Sequence, residues 1–187
     1  MDDVVIVGGG IIGVATAYFL SKEGRRVKVI ERDPTYKNAS FPLSLGGFRR
    51  QFFQKENILL GKFAKDFIFQ LPDILKTEKN PHPTASMVPN GYLLMFGPEH
   101  AEEQYRALKN HKACEAGTKN IKGSELTNIF PYINNEGIET ATFTDNKTEG
   151  WIDPVLFHAA LKSKAAELGA PFVQGEVKNL SEIKAKA

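Results

Sequence analysis

The N-terminal part of the chain shows two hydrophobic periods in turn. Residues 3–7 form a short apolar run rich in β-branched side chains, which predicts a strand buried on both faces of a parallel sheet. Residues 11–23 follow a helical period that puts Ile12, Ala15, Phe19 and Leu20 on one face, and Gly24 is placed to end that helix. Residues 27–30 predict a second strand. The pattern therefore predicts a right-handed strand–helix–strand unit with parallel strands.

The middle of the chain begins with a long loop at residues 33–55, rich in Ser, Gly, Pro and Asn. A predicted helix follows, with an apolar stripe at four-residue spacing that we expect to face a core: Leu59, Phe63, Phe67 and Leu71. Pro72 is expected to kink or end it. The pattern further predicts a strand at 91–96, a helix at 98–115, a short helix at 124–130 and a weaker strand at 141–144.

The last part of the chain returns to a helical period. Asp153 is a suitable N-cap and Pro154 a suitable first-turn residue. The predicted helix has a buried stripe of Phe157, Leu161, Ala165 and Leu168, and Gly169 closes it. Residues 171–180 then predict a strand that returns toward the first sheet.

Composition and charge narrow the class of protein. Of the 187 residues, 42% are hydrophobic and 25% are charged, as in ordinary globular proteins. The net charge of +2 is dispersed, so no nucleic-acid partner is expected, and no apolar run is long enough to predict a transmembrane segment. Residues 1–3 lead directly into the first strand without a signal peptide or an Arg- and Ser-rich leader, so we expect either a cytosolic protein or a targeting segment outside this chain. The single cysteine, Cys114, predicts no internal disulfide and a reducing compartment. The four histidines are expected on loops or helix surfaces, without a metal site: His82, His100, His111 and His158.

A glycine motif carries the candidate chemistry. Residues 8–13 read GGGIIG and follow the first strand directly, at the start of the first helix. In a dinucleotide site Gly8 permits the tight turn, Gly10 lets the backbone approach a pyrophosphate, and Gly13 allows close packing of helix on strand. The helix N-terminus then offers unpaired N–H groups to the phosphates.

Glu31, at the end of the second strand, completes the motif. A carboxylate there can accept hydrogen bonds from the adenosine ribose and would repel a 2′-phosphate, which argues against NADP. The same motif serves FAD and NAD. The polar, glycine-containing loop that follows Glu31, in place of another short strand–helix unit, favours FAD.

The segments DVVIVGGGIIGVATAYFL, VKVIERD and NASFPLSLGGFRRQF together resemble the D-amino-acid oxidase and sarcosine oxidase superfamily of FAD-dependent oxidoreductases. The likeness spans residues 2–180. It implies an α/β fold: a glutathione-reductase-type, Rossmann-like FAD-binding domain with part of an antiparallel substrate-binding domain. The implied domains are 1–80 for the FAD-binding unit, flavin loop and following helix, 81–150 for the partial substrate domain, and 151–187 for the return to the FAD domain, where the sequence stops short of its relatives.

The resemblance also assigns cofactor-binding residues. The pyrophosphate group comprises Gly8, Gly10, Ile11, Ile12 and Gly13. The adenosine side comprises Glu31 and Arg32, with the backbone of Val177 near the adenine. The loop under the flavin comprises Ser40, Ser44, Leu45, Gly46 and Gly47. Covalent attachment through a histidine of this loop is excluded, because the loop contains none.

For the substrate, the resemblance implies an arginine that anchors a carboxylate. Arg49 corresponds best, with Arg50 as the alternative under a one-residue slip. The implied activity is oxidation of a C–N bond in an amine or amino-acid-like substrate. Later segments, such as EGWIDP and QGEVKNL, resemble a mitochondrial branch of the superfamily linked to assembly of respiratory complex I. The alternative function is therefore a non-catalytic FAD-containing assembly factor, with complex I subunits as partners.

Overall fold

The computed structural model describes residues 3–144 and 147–179, which form two units. The first contains the described residues of 1–45, 71–86 and 153–187, and the second those of 46–70 and 87–152. Residues 46–70 thus group with 87–152, whereas the sequence placed all of 1–80 in one domain. In chain order the elements are β1 (Val4–Val7), α1 (Ile11–Lys22), β2 (Val27–Glu31), β3 (Gly47–Phe48), α2 (Lys55–Ile74), β4 (Leu93–Phe96), α3 (Pro98–Ala113), β5 (Lys119–Lys122), α4 (Leu126–Ile129), β6 (Thr140–Phe143), β7 (Gly150–Trp151), α5 (Pro154–Glu167) and β8 (Phe172–Gln174).

The first unit is built on a parallel sheet in the order β1-β2-β8. Val4 pairs with Val27, and Val29 pairs with Phe172, so the returning strand lies beside β2 as predicted. Only Phe172–Gln174 of the predicted strand at 171–180 is extended, and residue 180 lies outside the described residues. Helices α1 and α5 pack against each other in this unit.

β1 is less buried than predicted. Val5 is 50% and Val7 58% exposed, whereas the sequence suggested a strand covered on both faces. Within the described sheet β1 is an edge strand, paired with β2 alone. Ile6 points toward Gly13 of α1, so Val5 and Val7 point to the opposite face, which no element of this unit covers among the described residues.

Helix α2 buries only part of the predicted stripe, in which Leu71 is buried as expected. Leu59 is 47% and Phe63 54% exposed, and the side chains buried along the helix are Ile58, Ile68 and Leu71. Apolar side chains are adjacent at residues 58–60 and 67–69 of this helix, so the spacing alone did not identify which of them are buried. The helix also continues past Pro72 to Ile74.

Helix α5 begins as predicted. The Asp153 carboxylate accepts hydrogen bonds from the N–H groups of Val155 (2.8 Å) and Leu156 (3.0 Å), and the helix ends at Gly169, whose φ is +97°. Leu161 and Ala165 of the predicted stripe are buried. Leu168, the C-cap residue of the helix, is 38% exposed and does not continue the buried stripe.

The second unit contains an antiparallel sheet in the order β4-β6-β5 and a two-stranded pair, β3-β7. The weak strand prediction at 141–144 corresponds to the central strand of that sheet, where Ala141, Thr140 and Thr142 are fully buried. β5 was not predicted, because its sequence KNIK has a single apolar residue and no alternation.

Candidate cofactor-binding site

The turn between β1 and α1 has the geometry of a phosphate cradle. Gly8 has a φ of +95°, which only glycine adopts without strain. A Cβ added at Gly8 or Gly10 would meet no protein atom within 4 Å, so both positions border open space. A Cβ at Gly13 would overlap the Gly8 carbonyl oxygen and lie 3.3 Å from Ile6 Cγ2. Gly13 is therefore required by the fold, and Gly8 and Gly10 leave room for a ligand.

The N-terminus of α1 opens on this turn. Gly10 is the N-cap of α1 and, as a glycine, provides no side chain to cap the first turn. Ile11 and Ile12 form that turn, and Ile12 is 80% exposed. The first N–H groups of a helix lack partners within the helix and carry a partial positive charge, so they suit a phosphate.

Beside the turn lies a cavity of about 690 Å³, within the range usual for ligand sites. It contains four of the residues predicted from the sequence: Gly8, Glu31, Arg32 and Val177. The rest of its lining is Val7, Ile30, Asp33, Tyr36, Asn38, Ala39, Gly175 and Glu176. The end of β2 and the segment after β8 thus meet at one cavity, because the two strands are parallel neighbours.

Glu31 is already engaged by the protein. Its Oε2 accepts a hydrogen bond from Gly9 N–H (2.6 Å), and its Oε1 accepts one from Asp33 N–H (2.8 Å). An ionised carboxylate has about four acceptor positions, so capacity for ribose hydroxyls remains. Glu31 therefore has two tasks: it orients the glycine turn and faces the cavity.

Negative charge dominates the cavity wall, with Glu31, Asp33 and Glu176 against Arg32. Hydrogen bonds from Thr35, the side-chain bond first, hold the pKa of Asp33 below its ordinary value of 3.8, so this carboxylate is ionised at neutral pH. Such a wall favours the neutral hydroxyl groups of a ribose over a ribose that carries a 2′-phosphate, as in NADP. The glycine turn and the N-terminus of α1 therefore fit the pyrophosphate of FAD, and this acidic wall fits its adenosine.

The predicted flavin loop does not line this cavity. Ser40, Ser44 and Leu45 are exposed, Leu45 to 93%, and the Ser44 hydroxyl donates to the Phe41 carbonyl (2.9 Å). Gly46 has a φ of +65°, and a Cβ at Gly47 would overlap the hydroxyl of Tyr92. The fold alone thus accounts for both glycines, and the place of this loop under the flavin stays a prediction.

The two candidate substrate arginines lie in different environments in the second unit. Arg49 lines a cavity of about 260 Å³, and its guanidinium carbon lies 4.8 Å from the ring centroid of Phe52. Arg50 is 6% exposed; its Nη1 lies 3.5 Å from the Glu115 carbonyl, and its backbone N–H donates to the buried Glu149. The other residues of the cavity are Gln51, Phe52, Phe53, Leu93, Leu94, Met95, Phe96 and Gln104.

Gly61 holds the segment with Arg49 close to α2. A Cβ at Gly61 would lie 2.5 Å from the Arg49 carbonyl oxygen and 3.3 Å from Arg50 Cα. Gly61 was not among the predicted residues, although a glycine inside a helical pattern lowers helix stability and so points to a packing role.

Two histidines contradict the prediction that all four lie on surfaces. His111 is 3% and His158 4% exposed. His111 Nε2 lies 2.8 Å from the Phe52 carbonyl, and His158 Nε2 lies 2.8 Å from the Gly9 carbonyl. Their helices turn these positions inward, where one ring nitrogen of each histidine is hydrogen-bonded to a backbone carbonyl. Among the described residues no group of three or more His, Cys, Asp or Glu side chains could hold a metal.

Comparison with known proteins identifies the family. The family model described as FAD dependent oxidoreductase (DAO) matches residues 3–187. The chain belongs to this family. Its cofactor is FAD, and the prediction of an α/β fold, with a glutathione-reductase-type FAD-binding domain and part of an antiparallel substrate-binding domain, is confirmed.

Curated members of the FAD-dependent oxidoreductase family give the extent of the match. The chain is 37% identical over 181 residues to FAD-dependent oxidoreductase domain-containing protein 1 of Bos taurus, which covers 94% of this chain and 37% of that protein. The protein of the same name from Xenopus laevis is 37% identical over 190 residues, covering 97% and 37%. The chain thus spans 37% of the length of these relatives.

Solved structures agree with the family fold. L-proline dehydrogenase from P. horikoshii is 26% identical with a TM-score of 0.75, covering 92% of this chain and 44% of that one. Glycine oxidase from Geobacillus kaustophilus is 21% identical with a TM-score of 0.72, covering 92% and 46%, and supports the fold alone. No helix in the described part of the chain is both long and apolar enough to cross a membrane.

Proposed function

We propose that the protein is an FAD-dependent oxidoreductase that oxidises a C–N bond of a small amine substrate carrying a carboxylate. The observation that carries this proposal is Arg49, a cationic side chain in the wall of a largely apolar cavity of about 260 Å³. The similarity to L-proline dehydrogenase from P. horikoshii supports an amine that carries a carboxylate as the substrate class.

Arg49 has the chemistry of a carboxylate anchor. Its planar guanidinium can donate two parallel hydrogen bonds to one carboxylate, and the Phe52 ring against it limits its orientations. The side chains of Phe53, Leu94 and Phe96 give the cavity an apolar wall, which strengthens such charged hydrogen bonds. When bound, FAD supplies the hydride acceptor. The chain needs no general base in this proposal.

Arg50 is the weaker candidate. Its side chain is buried and directed to the Glu115 carbonyl, and its backbone is bound by Glu149. Replacing Arg50 would therefore disturb the second unit itself. We accordingly assign the substrate role to Arg49.

The test is Arg49→Lys in the full-length protein, with Arg106→Lys as the control. Arg106 is an exposed arginine of the same unit, in an ion pair with Glu102. Arg49→Lys keeps the charge but loses the two-pronged donor, so KM for carboxylate-bearing amines should rise about 5- to 150-fold, with flavin content unchanged. If KM and kcat for amino-acid-like substrates are unchanged in Arg49→Lys, Arg49 does not bind the substrate carboxylate.

The alternative role, a non-catalytic assembly factor for respiratory complex I in mitochondria, is a proposal resting on sequence resemblance. In that case FAD would act mainly by stabilising the fold. Anaerobic addition of candidate amines separates the two roles. Bleaching of the flavin absorbance supports the oxidoreductase, and a flavin that no amine or amino acid bleaches supports the assembly factor.

A further inference from the structure

His158 connects α5 to the glycine turn. It is 4% exposed, and its Nε2 lies 2.8 Å from the carbonyl oxygen of Gly9, 149 residues earlier in the chain. A carbonyl oxygen only accepts, so Nε2 carries the proton and donates it to this bond. The imidazole thus binds the backbone of the turn that faces the cofactor.

Aromatic contacts fix the orientation of the imidazole. The ring of Phe41 stacks on it, with centroids 4.3 Å apart and planes 16° from parallel. The ring of Tyr36 meets it edge-on at 4.5 Å. Lys162 Nζ donates to the Tyr36 hydroxyl (3.1 Å) and holds that ring in turn. A ring held on two sides cannot turn its Nε2 away from Gly9 without displacing these neighbours.

The opposite end of Gly9 is also fixed. Its N–H donates to Glu31 Oε2 at 2.6 Å, so both polar groups of this residue are bound by side chains from distant parts of the chain. A Cβ at Gly9 would lie 3.0 Å from the Tyr36 hydroxyl, which shows how closely the turn is packed on its protein side.

The direction of the next N–H follows from peptide geometry. The bond between Gly9 and Gly10 is trans, as are all described peptide bonds, and in a trans peptide the C=O and the N–H point in opposite directions. Because the Gly9 carbonyl points toward the buried His158, the Gly10 N–H points away from it. Gly10 is also the N-cap of α1, where its N–H begins the row of unpaired donors.

We propose that His158 is a positioning residue for the pyrophosphate of FAD. By holding the Gly9 carbonyl on the protein side, His158 sets the rotation of the Gly9–Gly10 peptide, so that the Gly10 N–H is available to a phosphate oxygen. The proposal rests on the glycine turn as the FAD site and not on the nature of the substrate.

Two substitutions separate hydrogen bonding from packing. His158→Phe keeps an aromatic ring against Phe41 but removes the donor, and His158→Gln keeps an N–H donor at a similar distance from the backbone. In the full-length apoprotein we expect His158→Phe to raise the Kd for FAD about tenfold and His158→Gln to retain most of the wild-type affinity. The Kd is measured by the quenching of flavin fluorescence when FAD binds. The ³¹P resonances of bound FAD should shift in His158→Phe and return toward wild type in His158→Gln, which space-filling alone does not predict.

The outcomes are distinct. Equal loss of affinity in both variants, or no loss in either, overturns the proposal and leaves His158 as a packing residue. If His158→Phe does not fold, His158→Asn decides, since its shorter amide cannot reach Gly9: a wild-type Kd in that variant also overturns the proposal. If Gly10→Ala binds FAD with the affinity of wild type, the glycine turn is not the FAD site, and the premise of the proposal fails rather than the role of His158.

Discussion

Substitution of Gly10 by alanine tests the phosphate cradle without disturbing the protein around it. Gly10 has a φ of −65° and a ψ of −177°, a conformation that alanine adopts readily. Its Cβ would have no protein atom within 4 Å. The new methyl group would therefore occupy only the space assigned to the pyrophosphate.

The expected effect on the apoprotein is small, because two terms oppose each other. Alanine loses less backbone entropy on folding than glycine, which stabilises by about 0.4–1 kcal/mol. At an N-cap, however, alanine is less favourable than glycine by a similar amount. The free energy of unfolding should therefore stay within about 1 kcal/mol of wild type.

The expected effect on FAD is large, because the methyl group prevents the backbone from approaching the phosphates. We expect the Kd for FAD to rise at least about tenfold, which is about 1.4 kcal/mol. Calorimetric titration of the apoprotein with FAD, alongside thermal melts, measures both quantities. Gly13→Ala provides the contrast, since its Cβ would overlap the Gly8 carbonyl and should lower both stability and affinity. Wild-type FAD affinity in Gly10→Ala would refute the cradle.

Three further predictions concern Glu31, His158 and the exposed apolar side chains. Glu31→Ala should weaken FAD binding by about 1–3 kcal/mol, because it removes charge-assisted hydrogen bonds at the ribose and the Gly9 N–H; exposed Glu23→Ala is the control, and unchanged affinity argues against the ribose role. Burial holds the pKa of His158 below its ordinary value of 6.5, so the unfolded chain binds the proton more readily and stability falls as the pH drops below about 6.5. Between pH 7 and pH 5 the melting temperature of wild type should therefore fall more than that of His158→Gln. Parallel plots of melting temperature against pH for the two proteins would contradict this. Residues 1–187 expressed alone should aggregate and retain little FAD, because Val5, Val7 and Leu59 expose apolar surface; a cooperatively melting monomer with one FAD would contradict it.

The FAD unit could be predicted from the sequence because its determinants are local. The turn needs a positive φ at Gly8, the helix must pass close to the strand at Gly13, and a carboxylate must end β2. All three of these residues lie within about twenty-five consecutive positions, so one local motif identifies them. The N-cap at Asp153 was predicted for the same reason, since the cap and its partners are adjacent in sequence.

The errors concern contacts between distant parts of the chain. His158 lies 149 residues from Gly9, and nothing in the sequence near His158 indicates a buried carbonyl as its partner. On α2 the predicted stripe included the buried Leu71 but missed Ile58 and Ile68, because tertiary packing decides which of several adjacent apolar side chains is covered. β5 is extended because β6 pairs with it, and its own residues have weak strand propensity.

The distinction between Arg49 and Arg50 also required the structure. Two adjacent arginines in an extended segment point to opposite sides, but the sequence does not tell which side carries a cavity. The structure puts Arg49 at the cavity and buries Arg50 against Glu115.

The most direct test of the account is to identify the cofactor released from the purified full-length protein and from its Gly10→Ala variant. After denaturation, the wild-type supernatant should show the visible absorbance of flavin and contain FAD in a ratio to protein near one, and the variant should contain much less. A supernatant with nicotinamide nucleotide and no flavin absorbance, or equal FAD in both proteins, would contradict the assignment of FAD to the turn at residues 8–13.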